Sequence, residues 1–212
     1  MEDEPQITVQ DHSKPYHHGD LWRALVQAGI EILHEEGVHA LTLRAVARRA
    51  GVSHAAPYRH FADKDELLSA IAEDGYQRLI AGLEDVLSHD YDDAGTLLQV
   101  AGRRYVHFIL DNPDHVRVMF SGLLGDYEKY PGLENAANQA FALLMEMIAR
   151  CQRIGGLIPG DPAQQGLAAW SMVHGLASLL MENCFPPSMQ DHIDVDQMTD
   201  FCVAIFCRGL QI

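Results

Sequence analysis

From Leu21 onward the apolar positions recur with a helical period almost without interruption. Leu21, Leu25, Ala28, Ile32 and Leu33 share one face, and Gly37 follows as a stop. A second helix is expected after Thr42, an N-cap residue, with Leu43, Val46, Ala47 and Ala50 turned inward and Gly51 ending it. Ser53 can cap a third, short helix ending near His60 and Phe61. Asp63-x-x-Glu66 reads as a capping box that opens a fourth helix, which runs through Leu67, Leu68, Ile71, Tyr76 and Leu79 to about Leu87. Asn112-Pro113, Pro131 and Asp161-Pro162 mark further starts. Asp194-x-x-Gln197 is another capping box, and Gly209 closes the last helix. Strand-type alternation and internal repeats are absent. The pattern predicts an all-α protein of about nine helices.

The 212 residues are 48% hydrophobic and 21% charged, which suits a globular chain with an ample core. The greasiest run, 166–181, is broken by Ser171 and His174, so no membrane span is expected. The acidic start has no apolar leader, and a cytoplasmic location is expected. The four cysteines form no Cys-x-x-Cys pair and read as small buried hydrophobes.

Net charge sharpens this picture only when it is divided along the chain. The total is −15, which argues against a polyanionic partner. Residues 14–64, however, carry seven bases against five acids, and 40–64 alone carry five bases against Asp63. Residues 65–212 hold eight bases against 21 acids. A basic segment on an acidic chain is a pointer to nucleic acid. Three regions are therefore expected: a disordered acidic tail (1–15), a DNA-binding unit (16–64), and a ligand-binding and dimerisation unit (65–212).

The basic segment also has a specific shape. Two short helices joined at Ala50-Gly51-Val52-Ser53 make a helix-turn-helix, with Gly51 supplying a positive φ and Val52 a plug between the helices. The string Thr42-Leu43-Arg44-x-Val46-Ala47-x-x-Ala50-Gly51-Val52-Ser53, continuing through Tyr58-x-His60-Phe61-x-x-Lys64-x-x-Leu67-Leu68, resembles the DNA-binding domain of the TetR family of bacterial regulators. Trp170-x-x-x-His174-Gly175 is similar to the motif of one subgroup of TetR C-terminal domains.

The resemblance implies roles residue by residue. Thr42 and Arg44 would meet phosphates, Arg44 also reaching a base edge. Ser53, His54 and Ala55 would face base edges with Pro57 nearby. Tyr58, His60 and Lys64 would hold phosphates. The implied protein is a homodimeric repressor of a palindromic operator, released by a small molecule. No metal or cofactor is implied. Two other readings compete: a DNA-binding regulator controlled by a protein partner without a ligand, and a helical carrier or enzyme. Enzymatic motifs are missing; the pair His34 and His39 is spaced five apart, which cannot put two metal ligands on one helix face.

For an apolar ligand pocket in the C-terminal part, the candidates are Tyr105, Phe108, Met119, Phe120, Met145 and Trp170, with His107, Asn138 and His174 as polar orienters. The acid excess there disfavours an anionic ligand. The segments 162–183 and 195–208 are apolar and rich in small residues, and are expected to form a dimer face as a four-helix bundle.

Overall fold

The computed structural model describes residues 18–186, 188 and 193–210, so the tail assigned to 1–15 lies outside the described residues. Among the described residues the chain forms eight α-helices and two 3-10 turns and has no strand. The helices are α1 (His18–Glu36), α2 (Leu43–Arg49), α3 (Lys64–Leu87), α4 (Ala94–Asp111), α5 (Pro113–Phe120), α6 (Pro131–Arg153), α7 (Pro162–Met181) and α8 (Val195–Gly209). No helix among them is long and apolar enough to cross a membrane.

Most starts follow from the caps. Thr42 Oγ1 accepts from the Ala45 N–H at 3.1 Å, Asp63 from Glu66 at 2.9 Å, and Asp194 from Gln197 at 3.0 Å. Each cap satisfies a helix-end donor and stabilises its helix by ~1 kcal/mol. At α5 the start is where Pro113 puts it, but the Asn112 side chain acts differently. Its Nδ2 donates to the Phe108 carbonyl at 2.9 Å and so closes α4.

The expected third helix is the place where the pattern misleads. Residues 53–56 form a turn and Pro57–Arg59 a single 3-10 turn. The bonds there run from Ala56 N to Ser53 O, Arg59 N to Ala56 O and His60 N to Pro57 O. Proline has no N–H, so the α-type bond from residue 57 back to Ser53 cannot form, and the first turn tightens to i→i+3 pairing.

The N-terminal core gathers Leu25, Ile32, Leu41, Val46, Leu67 and Ile71, all fully buried or nearly so. Gly29 lets α1 and α3 approach: a Cβ there would stand 3.0 Å from Ile71 Cδ1. The first two turns of α3 thus belong to the N-terminal packing, while the rest of the helix runs into the C-terminal bundle against α4, α5 and α6. At 24 residues, α3 extends ~36 Å at about 1.5 Å per residue.

The short helix α5 ties these parts together. His34 Nδ1 of α1 lies 3.0 Å from Asp114 Oδ2, and His115 Nε2 lies 3.0 Å from Asp74 Oδ2 of α3. Arg78 also bonds Asp74, at 2.7 Å. The His115 hydrogen bond, helped by Arg78, holds the Asp74 carboxyl down at about 2. A depressed carboxyl stabilises the fold above the ordinary carboxylate range, and that stabilisation is lost as pH falls from about 4 towards 2. His115 is only 5% exposed, so Asp74→Ala would strand a buried ring nitrogen. A loss of about 1–3 kcal/mol is expected in urea unfolding at neutral pH. An unchanged midpoint would show that water replaces the carboxylate.

Candidate DNA interface and ligand cavity

The surface built by α2 and the 53–59 segment is polar and open. Gly37 and Gly51 adopt φ of +79° and +67°, ending α1 and α2 in the left-handed conformation that side chains resist. Gly51 turns the chain so that Ser53, His54, Ala55 and Tyr58 are presented outward beside Thr42 and Arg44. Tyr58 is 54% exposed although aromatic. Phe61, by contrast, is buried against Trp22, and His60 is half-buried beside it.

The bases on this face divide into free and committed groups. Arg44, Arg48 and Arg59 are exposed and make no hydrogen bond or ion pair with other described residues. Arg49 is held by Glu31, Glu35 and Glu36 of α1 at 3.6, 2.7 and 3.3 Å, which makes it a clamp between α1 and α2. Lys64 is half-buried and its Nζ donates to the Val38 carbonyl at 2.5 Å. In this conformation its ammonium braces the α1–α2 connection. Pro57 is buried, and its part is to shape the turn while its neighbours face outward.

The C-terminal bundle holds a partly open cavity of about 300 Å³ between α3, α4, α6, α7 and α8, with Phe120 at the end of α5. Tyr105, Phe120, Trp170 and Asn138 line it, together with Tyr76, Leu83, Phe141, Met147 and Phe206. Phe108 is buried elsewhere on α4, Met119 is packed under α3 at Gly75, and Met145 is off the lining while Met147 is on it. His107 is half-exposed and bonds Asp196 at 2.8 Å, away from the cavity. His174 stands behind the wall.

The wall itself is tied by one hydrogen-bonded run. Trp170 and His174 are four apart on α7, so both side chains reach the same point. The Trp170 indole N–H donates to the Tyr105 hydroxyl at 2.8 Å, and that hydroxyl lies 2.8 Å from His174 Nδ1. Burial lowers the His174 pKa and so favours the neutral ring, whose Nε2–H tautomer leaves Nδ1 free to accept from the Tyr105 hydroxyl. Burial raises the Tyr105 pKa far above the usual phenol value, keeping that proton in place. Phe120 closes the cluster edge-on to His174, with ring centres 4.8 Å apart.

The chain matches the family model for bacterial regulatory proteins of the tetR family over residues 25–71. Residues 98–206, about half of the chain, match that for the tetracyclin repressor-like C-terminal domain. A solved protein of unknown function from Rhodococcus sp. RHA1 is 33% identical, covering 94% of this chain and all of that one, with a TM-score of 0.80. The chain belongs to the TetR family. Two more distant structures share the fold. One is a tetR-family regulatory protein from Rhodococcus RHA1 (22% identity, 90% and 97% coverage, TM-score 0.68). The other is the TetR-family regulator PfmR from Thermus thermophilus (21% identity, 89% and 99% coverage, TM-score 0.66).

As a TetR-family DNA-binding regulator, the chain carries an open helix-turn-helix face and an apolar C-terminal cavity in one continuous helical frame. The roles implied by the family resemblance include neither Arg48 nor Arg59; both are exposed on that face and unpaired among the described residues. Sequence reasoning also missed the aliphatic side of the cavity. Leu79 and Leu83 on α3, and Leu98 with Ala101 and Tyr105 on α4, are helical repeats of spacing three and four that could have suggested it.

Proposed function

We propose that this chain acts as a homodimeric repressor that grips a palindromic operator and lets go when a small molecule fills the C-terminal cavity. The observation that carries this reading is the course of α3. Its first turn abuts the helix-turn-helix, with Lys64 bonded to Val38, while Tyr76, Leu79 and Leu83 further along line the cavity. A molecule that displaces the cavity wall therefore acts on the same rigid element that supports the DNA face. Release requires that the molecule bind the DNA-incompetent arrangement better, typically by ~1–3 kcal/mol. A second link runs through α5, from Phe120 in the wall to Asp114 on His34 of α1.

The DNA contacts assigned to this face are Thr42, Arg44, Ser53, His54, Ala55, Tyr58 and His60, now with Arg48 and Arg59 added. Lys64 would reach a phosphate only by leaving Val38. TetR-family regulators dimerise, and the face proposed here is the apolar stripe of α7 and α8. Leu167, Leu179, Phe201 and Ile205 are exposed there at 45–62%. Such a contiguous apolar face on two packed helices is what an isologous four-helix contact would cover. Half-sites would then repeat at about one helical turn, ~34–36 Å, or further apart for a wide dimer. The protein would work in the cytoplasm and catalyse no reaction.

Selection of fragmented genomic DNA on the purified protein at about 100 mM salt tests the reading, since phosphate contacts still bind well there. Recovery of a palindrome is expected. Recovery indistinguishable from bulk DNA, by protein unfolded and refolded to strip any bound molecule, would contradict it.

A further inference from the structure

The cavity wall carries no formal charge. None of the described lining residues is an acid, a base or a histidine. Apart from the Trp170 indole, its polar side chains are two phenols and one amide: Tyr76, Tyr105 and Asn138. Burial pushes both phenols far above their ordinary range, so both stay protonated and neutral. Tyr105 is also engaged, accepting from the Trp170 N–H and lying 2.8 Å from His174 Nδ1. The Asn138 amide differs in two ways. It has no hydrogen bond to another described residue, and it stands exposed at the mouth of the cavity, whereas Tyr76 and Tyr105 are buried.

Behind that amide the space is bounded by hydrocarbon. Leu79, Leu83 and Leu144 give it aliphatic surface, and Phe120 and Phe141 give it aromatic faces that favour edge and offset ring contacts. An apolar cavity of about 150 Å³ holds benzene, so about 300 Å³ corresponds to about twelve non-hydrogen atoms. At the mouth, a primary amide presents an N–H donor and a carbonyl acceptor side by side. A carboxamide or lactam meets both at once, whereas an ester or ketone engages the donor alone. An ion fits worse, because no opposite charge among the described lining residues offsets its loss of water. An anion is also repelled by Glu134, one turn before Asn138 on α6.

We propose that the cavity takes an uncharged molecule of about twelve non-hydrogen atoms, with an apolar ring body inside and a carboxamide or lactam head paired with the Asn138 amide. This specifies the ligand class of the site described above, and it rests on that cavity being the ligand site. Asn138 then fixes which end of the molecule faces the mouth.

Calorimetric titration of the full chain with four naphthalene probes tests this: 2-naphthamide, methyl 2-naphthoate, 2-naphthoate and 2-naphthylmethylammonium. They share a body and differ in the head. 2-Naphthamide is expected to bind about fivefold or more tighter than either ion. In Asn138→Leu the ratio of amide to ester affinity should fall about fivefold, the value of the one neutral hydrogen bond that the ester cannot make. Asn138 is exposed, so the variant should fold. If circular dichroism shows that it does not, Asn138→Ala reads the same ratio. Tighter binding of either ion to the native protein would overturn the ligand class and leave ligand control standing. A ratio unmoved by the substitution would overturn the pairing with Asn138, again without touching ligand control. Binding of none of the four would overturn this proposal and the cavity's part in the proposed function together.

Discussion

The double variant Arg44→Ala/Tyr58→Ala is expected to lose about a thousandfold in operator affinity while its melting temperature stays unchanged. Both side chains stand out from the helix-turn-helix face, Tyr58 at 54% exposure, with no partner among the described residues. Nothing in the fold needs them, and exposed substitutions of this kind usually shift stability by less than about 0.5 kcal/mol. On DNA, removing one such side chain costs about 1–3 kcal/mol, and a symmetric dimer is deprived of it twice. Even the low end of that range gives about 4 kcal/mol in total, the stated thousandfold. The slope of affinity against salt should also flatten, by about one charge per head for Arg44. Arg49→Ala should show the opposite profile. Its guanidinium is held by three α1 carboxylates, so stability falls while the uncommitted bases of the DNA face, Arg44, Arg48 and Arg59, remain in place. Fluorescence anisotropy and thermal melts on the same samples check both. A double variant within about threefold of native affinity would mean that the face is misassigned.

Phe201→Glu is expected to turn the protein into a folded monomer. Phe201 is 62% exposed, so a carboxylate there is solvated in the isolated chain and costs the fold little. In an isologous interface the same position occurs twice, and two unpaired charges would be buried near the symmetry axis. A single hot-spot residue is commonly worth about 2 kcal/mol or more, so two copies weaken association by at least about a thousandfold. Sedimentation at micromolar concentration reads the outcome directly. Operator affinity should fall with it, because a monomer spans only one half-site. A variant that remains dimeric would move the interface off the α7–α8 stripe.

How far the sequence could be read depended on whether the answer was local. Thr42, Asp63 and Asp194 announce helix starts because a cap is a contact within three residues, and the structure places each bond there. The positive φ of Gly37 and Gly51 follows from equally local geometry. The segment after Ser53 departs from the helical pattern for a local reason: Pro57 removes one specific hydrogen bond. Cavity membership is another matter. Met145 and Met147 are equally apolar, yet two residues of helix turn them to different sides, and only Met147 meets the void. Tyr105 and Phe108 differ in the same way along α4. Periodicity tells which face is buried, but it cannot tell a face that borders empty space from one that borders another side chain. Met119 illustrates this, since its sulfur packs so close to Gly75 that a Cβ there would stand only 2.6 Å from it. Lys64 shows a related limit. Its charge suggests a phosphate, while the carbonyl that captures it lies 26 residues earlier in the chain.

The measurement that bears most directly on the account is the affinity of the native dimer for its selected palindrome against a scrambled duplex of the same length and composition. Both titrations would be run at one fixed salt concentration. A regulator whose open face reads base edges should prefer the palindrome by at least about a thousandfold. Equal affinities for the two duplexes would reduce the face to a generic polyanion patch and contradict sequence-specific control.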